Sequence, residues 1–164
     1  MRMELTVPWQ VPIAELNGYL RLAGVEPTGQ DGIVSARDLD LPTRVALVEA
    51  LHRSVRCARA SAPPVDKWLA ASESLVLNDD GSEAARQKAD VFWLGLTHIV
   101  SGCQALVMLG DLSELPFFIE LLKHQPAGHL TELAADVLRH TVDPSHELDT
   151  PHLIRQAEDW WNGH

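Results

Sequence analysis

Apolar residues in this chain recur at helical intervals in segment after segment, and no stretch alternates apolar and polar residues long enough to make a strand. Ile13, Leu16, Leu20 and Ala23 share one face, with Pro12 suited to a first helical position and Gly24 to the stop. Between Val25 and Asp40, Pro27, Gly29, Asp31 and Gly32 predict a loop with a brief extended piece around Ile33 and Val34. Val45, Val48, Leu51, Val55 and Ala58 mark a long helix from Pro42 to Ala60, with Leu41 just before it. After a break at Ser61 to Pro64, the stretch from Asp66 to Leu77 predicts a helix that faces inward through Leu69 and either Leu75 or Val76.

Asn78 to Gly81 reads as a turn, and Ser82 as the N-cap of a helix whose first residue, Glu83, suits the positive end of the dipole. The segment from Glu83 to Leu109 is long for one helix, and the stretch Gly95 to Gly102 predicts an interruption that splits it in two. Asp111 and Glu114 have capping-box spacing before Leu115, Phe118, Ile119 and Leu122, with Pro116 tolerated in the first turn. His124 to Gly128 is a connection. Leu130, Leu133, Ala134, Val137, Leu138 and Thr141 then follow the helical series without a gap. Beyond the polar stretch Val142 to Asp149, Thr150 and Pro151 read as N-cap and first residue of a last helix carrying Leu153, Ile154, Ala157, Trp160 and Trp161. These segments predict a single all-α domain of about seven helices with no sheet.

Within that set, one stretch carries more than periodicity. Leu109-Gly110-Asp111 forms a turn, Leu115-Pro116-Phe117-Phe118-Ile119-Glu120-Leu121-Leu122 enters a helix, and Ala134-Ala135 with Leu138-Arg139 marks the helix after it. Gly110 to Thr141 resembles a HEAT-like repeat, one of the armadillo-type helical hairpins. Asp159-Trp160-Trp161 is similar to the tryptophan-bearing cap helix that closes such arrays. The resemblance implies a short right-handed α-solenoid, with residues 82–164 as repeats and cap and residues 1–78 as divergent N-terminal helices. In it Glu83 to Leu109 stands as a preceding, weaker pair. Metal hydroxylases of the wider family carry several His-Glu dipeptides around an iron pair, and this chain has only His146-Glu147, which is too few for that ligand set.

Composition narrows the function classes. The chain has 164 residues, 46% hydrophobic, and a formal charge of −10. From Asp111 to the end, acids outnumber bases ten to three. Such a balance opposes binding along a phosphate backbone, which lysine and arginine would have to neutralise; it suits a basic protein partner, and it equally serves a surface that is only kept soluble by its acids. Glu4 and Glu15 stand where a secretory signal would be basic and then apolar, and the apolar run from Val91 to Val100 is shorter than a membrane span, so a cytoplasmic protein with no membrane association is expected. Cys57 and Cys103 lie in apolar helical patterns without metal-ligand spacing and predict buried thiols.

No phosphate loop, nucleophile elbow, His-Glu-x-x-His or paired-cysteine motif occurs, so neither a catalytic residue, a metal ligand nor a cofactor site is assigned. His124, His129, His140, His146 and His152 sit at loops and helix ends, where solvated surface histidines are expected. The leading expectation is a non-catalytic protein-protein interaction module, an immunity protein or adaptor of bacterial type, binding a basic partner through Glu114, Glu120, Glu132, Asp136, Glu158 and Trp161. The alternative is a nucleic-acid-binding or DNA-repair protein of the HEAT-like kind, using Arg53, Arg56 and Arg59 with Arg44 earlier on the same helix. A helical enzyme with an unrecognised site comes third.

Overall fold

The computed structural model describes residues 5–29, 32–124 and 128–163; Glu4, Asp31 and residues 125–127 of the expected connection lie outside them. Among the described residues the protein is all-α. Its seven α-helices are α1 (Ile13–Leu22), α2 (Leu41–Ala60), α3 (Trp68–Leu77), α4 (Glu83–Met108), α5 (Leu115–His124), α6 (His129–Val142) and α7 (Thr150–Asn162). The chain forms two compact units, one from residues 1–63 and 73–112, the other from residues 64–72 and 113–164.

In the first unit α4 packs against both α1 and α2. Leu16, Leu20 and Ala23 meet Val48 and Leu51 of α2 and Ala105, Leu106 and Met108 of α4 in one core cluster. Asp40 caps α2, accepting from the Thr43 amide at 2.7 Å, and Gly24 ends α1 in the left-handed region at φ +75. The extended piece expected at Ile33 and Val34 takes the form of one antiparallel bridge, Pro12 with Ser35, beside an Ile13 N–H to Val34 carbonyl bond of 2.8 Å. A strap of residues before α1 runs to the far end of α4, where Thr6 N–H donates to Gly110 O at 2.8 Å and Trp9 N–H to Met108 O at 2.9 Å. Carbonyls that an α-helix leaves open at its C-terminus thereby find donors.

The expected interruption of α4 does not occur. Glu83 to Met108 is one helix, capped by Ser82 through a 3.1 Å bond from Ala85 N–H, so the segment read as a weaker repeat pair contains no hairpin. Two glycines cost a helix about 1 kcal/mol each, and burial of every residue from Ile99 to Gly110 outweighs that. Gly102 is where α2 approaches: a Cβ there would fall inside the contact radius of Val55 Cγ2. Because the helix is unbroken, α4 also has the length and composition of a membrane span, contrary to the expectation from the shorter apolar run; 61% of its apolar window is buried inside the protein.

The second unit is built by α5, α6 and α7, each packed on the other two. Leu115, Phe118, Leu121, Ala134, Leu138, Leu153 and Ala157 form its buried interior. The inward residue at the start of α3 is Trp68, at 2% exposure, rather than Leu69, which is exposed; Leu75 is half-buried and Val76 exposed. Trp68 meets Phe117 edge to face at 5.8 Å between centroids, a geometry that suits the ring quadrupoles. Asp149, not Thr150, caps α7 by accepting from His152 N–H at 3.1 Å, which moves Thr150 and Pro151 to the first two helical positions. The polar connection before it is held by buried Asp143, whose carboxylate accepts from the amides of Glu147 at 3.2 Å and Leu148 at 3.0 Å. Of the two cysteines, Cys103 is buried as expected, and Cys57 is exposed because it lies on the side of α2 opposite Val48, Leu51 and Val55.

Candidate functional site

Residues Pro116, Ile119, Glu120 and Lys123 follow one another on α5 at helical spacing, and Glu158, Trp161 and Asn162 do so on α7. Packing α5 against α7 sets the two rows side by side around a groove of about 240 Å³. Trp161 is 37% exposed in its wall, while Trp160, one helical step away, is half-buried. Adjacent tryptophans have divided the roles that the roughly 100° step of a helix separates.

The groove is charged but not uniformly acidic. Lys123 Nζ is hydrogen-bonded to Glu158 Oε1 and lies 3.8 Å from Glu120 Oε1, and Glu120 Oε2 lies 3.1 Å from His124 Nε2. The hydrogen bond that Lys123 donates to Glu158 holds its ammonium charged to a pH above the usual lysine range. Two carboxylates on different helices therefore converge on one cation. Exposed pairs of this kind stabilise a fold little. Their geometry matters more for what they can hold.

The other expected contacts lie elsewhere. Glu132 and Asp136 are exposed one turn apart on α6, and half-buried Glu114 sits just before α5, its carbonyl accepting from Phe117 N–H at 3.1 Å. Of the six residues expected to bind a partner, Glu120, Glu158 and Trp161 line the groove and Glu114, Glu132 and Asp136 do not.

Arg53, Arg56 and Arg59 are all exposed on α2. Three-residue steps rotate about 60° around a helix, so the row winds across α2. Arg53 lines a groove with Thr43, Ala46 and Ala50, whereas Arg59 Nη2 lies 3.8 Å from Cys103 Sγ, and Arg44 Nη1 is spent on the Thr6 carbonyl at 3.4 Å.

The arrangement closest to catalytic chemistry is one that no local motif signals. His52 Nε2 lies 2.7 Å from Oδ2 of buried Asp111, an orienting pair of the kind that serves activated nucleophiles. Among the described residues Asp111 is the hydrogen-bond partner seen for His52. No group of three or more histidine, cysteine, aspartate or glutamate side chains among the described residues is placed to hold a metal ion. Comparisons of this chain with protein-family models, with curated proteins and with solved structures find no match.

Proposed function

We propose that this protein is a non-catalytic protein-binding module, an immunity protein or adaptor built on HEAT-like hairpins, that engages a basic partner at the α5–α7 groove. The observation that carries this reading is the convergence of Glu120 and Glu158 on the Lys123 ammonium beside a tryptophan 37% exposed. Lys123 shows what the carboxylate pair can accept. A lysine or arginine from a partner finds two acceptors, an aromatic face for its cation and an apolar floor at Pro116 and Ile119. Glu132 and Asp136 on α6, with the acidic excess after Asp111, supply the field that steers such a partner in.

The test is affinity capture with the whole protein and with Trp161→Ala and Glu120→Gln/Glu158→Gln variants of unchanged helical content. A basic protein retained by the parent and lost by both variants is the expected result. Retention of the same protein by both overturns the assignment of this groove.

A further inference from the structure

On α4 the residues Ala84, Lys88, Val91, Gly95, His98 and Gly102 follow one another in alternating steps of four and three, the spacing of a seam that receives a second helix. One end of this seam is already in use, since Gly102 is where Val55 of α2 and Ala23 pack. But α2 stops at Ala60, and among the described residues of this unit no further helix lines the seam as it continues toward the N-terminus of α4. There it forms one wall of an open groove of about 660 Å³, closed on the other side by Ala58, Ala62 and Pro63. Val91 is 71% exposed and Leu94 59%, and a Cβ added at Gly95 would touch nothing.

We propose that the open half of the α4 seam docks an amphipathic helix of another protein, laid in line with α2. Aliphatic side chains of that helix cover Val91 and fill the space over Gly95, and a glutamate or aspartate meets Lys88. The charge decides the occupant. Among the described residues Lys88 is the one charged residue lining the groove; Asp80, in the turn before α4, interacts with it electrostatically, and because a docked helix would desolvate this seam position the ammonium favours a further carboxylate across the groove. A second copy docked through its own α4 seam does not supply one: that seam, from Ala84 to His98, has no acidic member, so each lysine would face no carboxylate across the contact. This surface belongs to the first unit, and the α5–α7 groove to the second.

Two designed amphipathic helical peptides test it, identical except for glutamate or lysine at the position facing Lys88, with binding to the full chain read by fluorescence anisotropy. The glutamate peptide is expected to bind at least about tenfold more tightly than the lysine peptide. Lys88→Glu should reverse that order, and Gly95→Leu should abolish binding of both without lowering the thermal midpoint, since the added side chain points into open space. Failure of both peptides to bind, equal affinity for the two, or binding that survives Gly95→Leu overturns the proposal. So does sedimentation showing that the chain alone is a dimer dissociated by Val91→Glu, which would assign the seam to a second copy.

Discussion

His52 on α2 and Asp111, just past the end of α4, are joined by a 2.7 Å hydrogen bond although 59 residues separate them, and Asp111 is only 5% exposed. A carboxylate at that depth deprived of His52 keeps its desolvation cost and loses the part of the compensation that the imidazole supplies. Replacing His52 by alanine should lower stability by about 1–3 kcal/mol in denaturant unfolding. Adding Asp111→Ala to His52→Ala should cost less than Asp111→Ala costs alone, because the bond between them is already gone. Strict additivity in that double-mutant cycle would show that the pair contributes no coupling.

Gly102 and Val55 are complementary in a stricter sense, since a Cβ on the glycine would overlap Val55 Cγ2. Gly102→Ala is therefore expected to destabilise the first unit by about 1–3 kcal/mol, as overpacked cores do, although alanine is the better helix former. Val55→Ala in the same chain removes the overlapping methyls and should return part of that loss. An unaffected or raised thermal midpoint for Gly102→Ala alone would mean that α2 is free to move away.

Much of this architecture was legible in the sequence because local rules sufficed. The α2 stripe of Val48, Leu51 and Val55, the Ser82 cap, the Gly24 stop and the apolar face of α6 all depend on residues within a few positions of one another. The errors arose where distant packing decides. Gly95 and Gly102 read as a break, yet burial of the C-terminal half of α4 keeps the helix continuous and makes Gly102 a contact point. Trp68 took the inward position from Leu69 because Phe117 offers it a ring to pack on.

The candidate site divides along the same line. The helical step between adjacent tryptophans turns Trp160 and Trp161 different ways without saying which is exposed, and Glu120 and Glu158 stand out only as members of the acidic excess. Nothing local announces that Lys123 joins those two acids across a pair of helices, nor that His52 meets Asp111.

Among the aspartates that cap helices or turns, Asp40, Asp80 and Asp149 are held below the usual carboxylate range: Asp40 by its hydrogen bonds with Thr43, Asp80 by those with Ser82, and Asp149 by those with His152. A carboxyl whose folded pKa is depressed contributes stability above its unfolded pKa and loses it as pH falls through the folded one. The stability gap between the parent and an Asp40→Ala/Asp149→Ala variant should thus be full at neutral pH and close progressively in the acid range below the usual carboxylate pKa. Thermal unfolding at a series of pH values measures it. A gap that stays constant down to the lowest pH would assign the caps to hydrogen bonding that the neutral acid performs equally well.

Gly110 combines two constraints that a single comparison can separate. Its φ of +93 disfavours any side chain, and a Cβ there would also collide with the Thr6 carbonyl of the N-terminal strap. Gly24 has φ +75 in the same unit, but a Cβ there meets Ser54 Oγ and His98 Cε1 only at ordinary contact distance. Gly24→Ala should therefore cost the backbone strain alone, about 1–2 kcal/mol, while Gly110→Ala should cost that and the strap contact as well. Amide hydrogen exchange distinguishes the two directly. In Gly110→Ala the Thr6 and Trp9 amides, which donate to Gly110 and Met108, should exchange markedly faster, and in Gly24→Ala they should exchange no faster than the rest of the unit. Equal protection of Thr6 in both variants would show that the strap yields to the new methyl without leaving the end of α4.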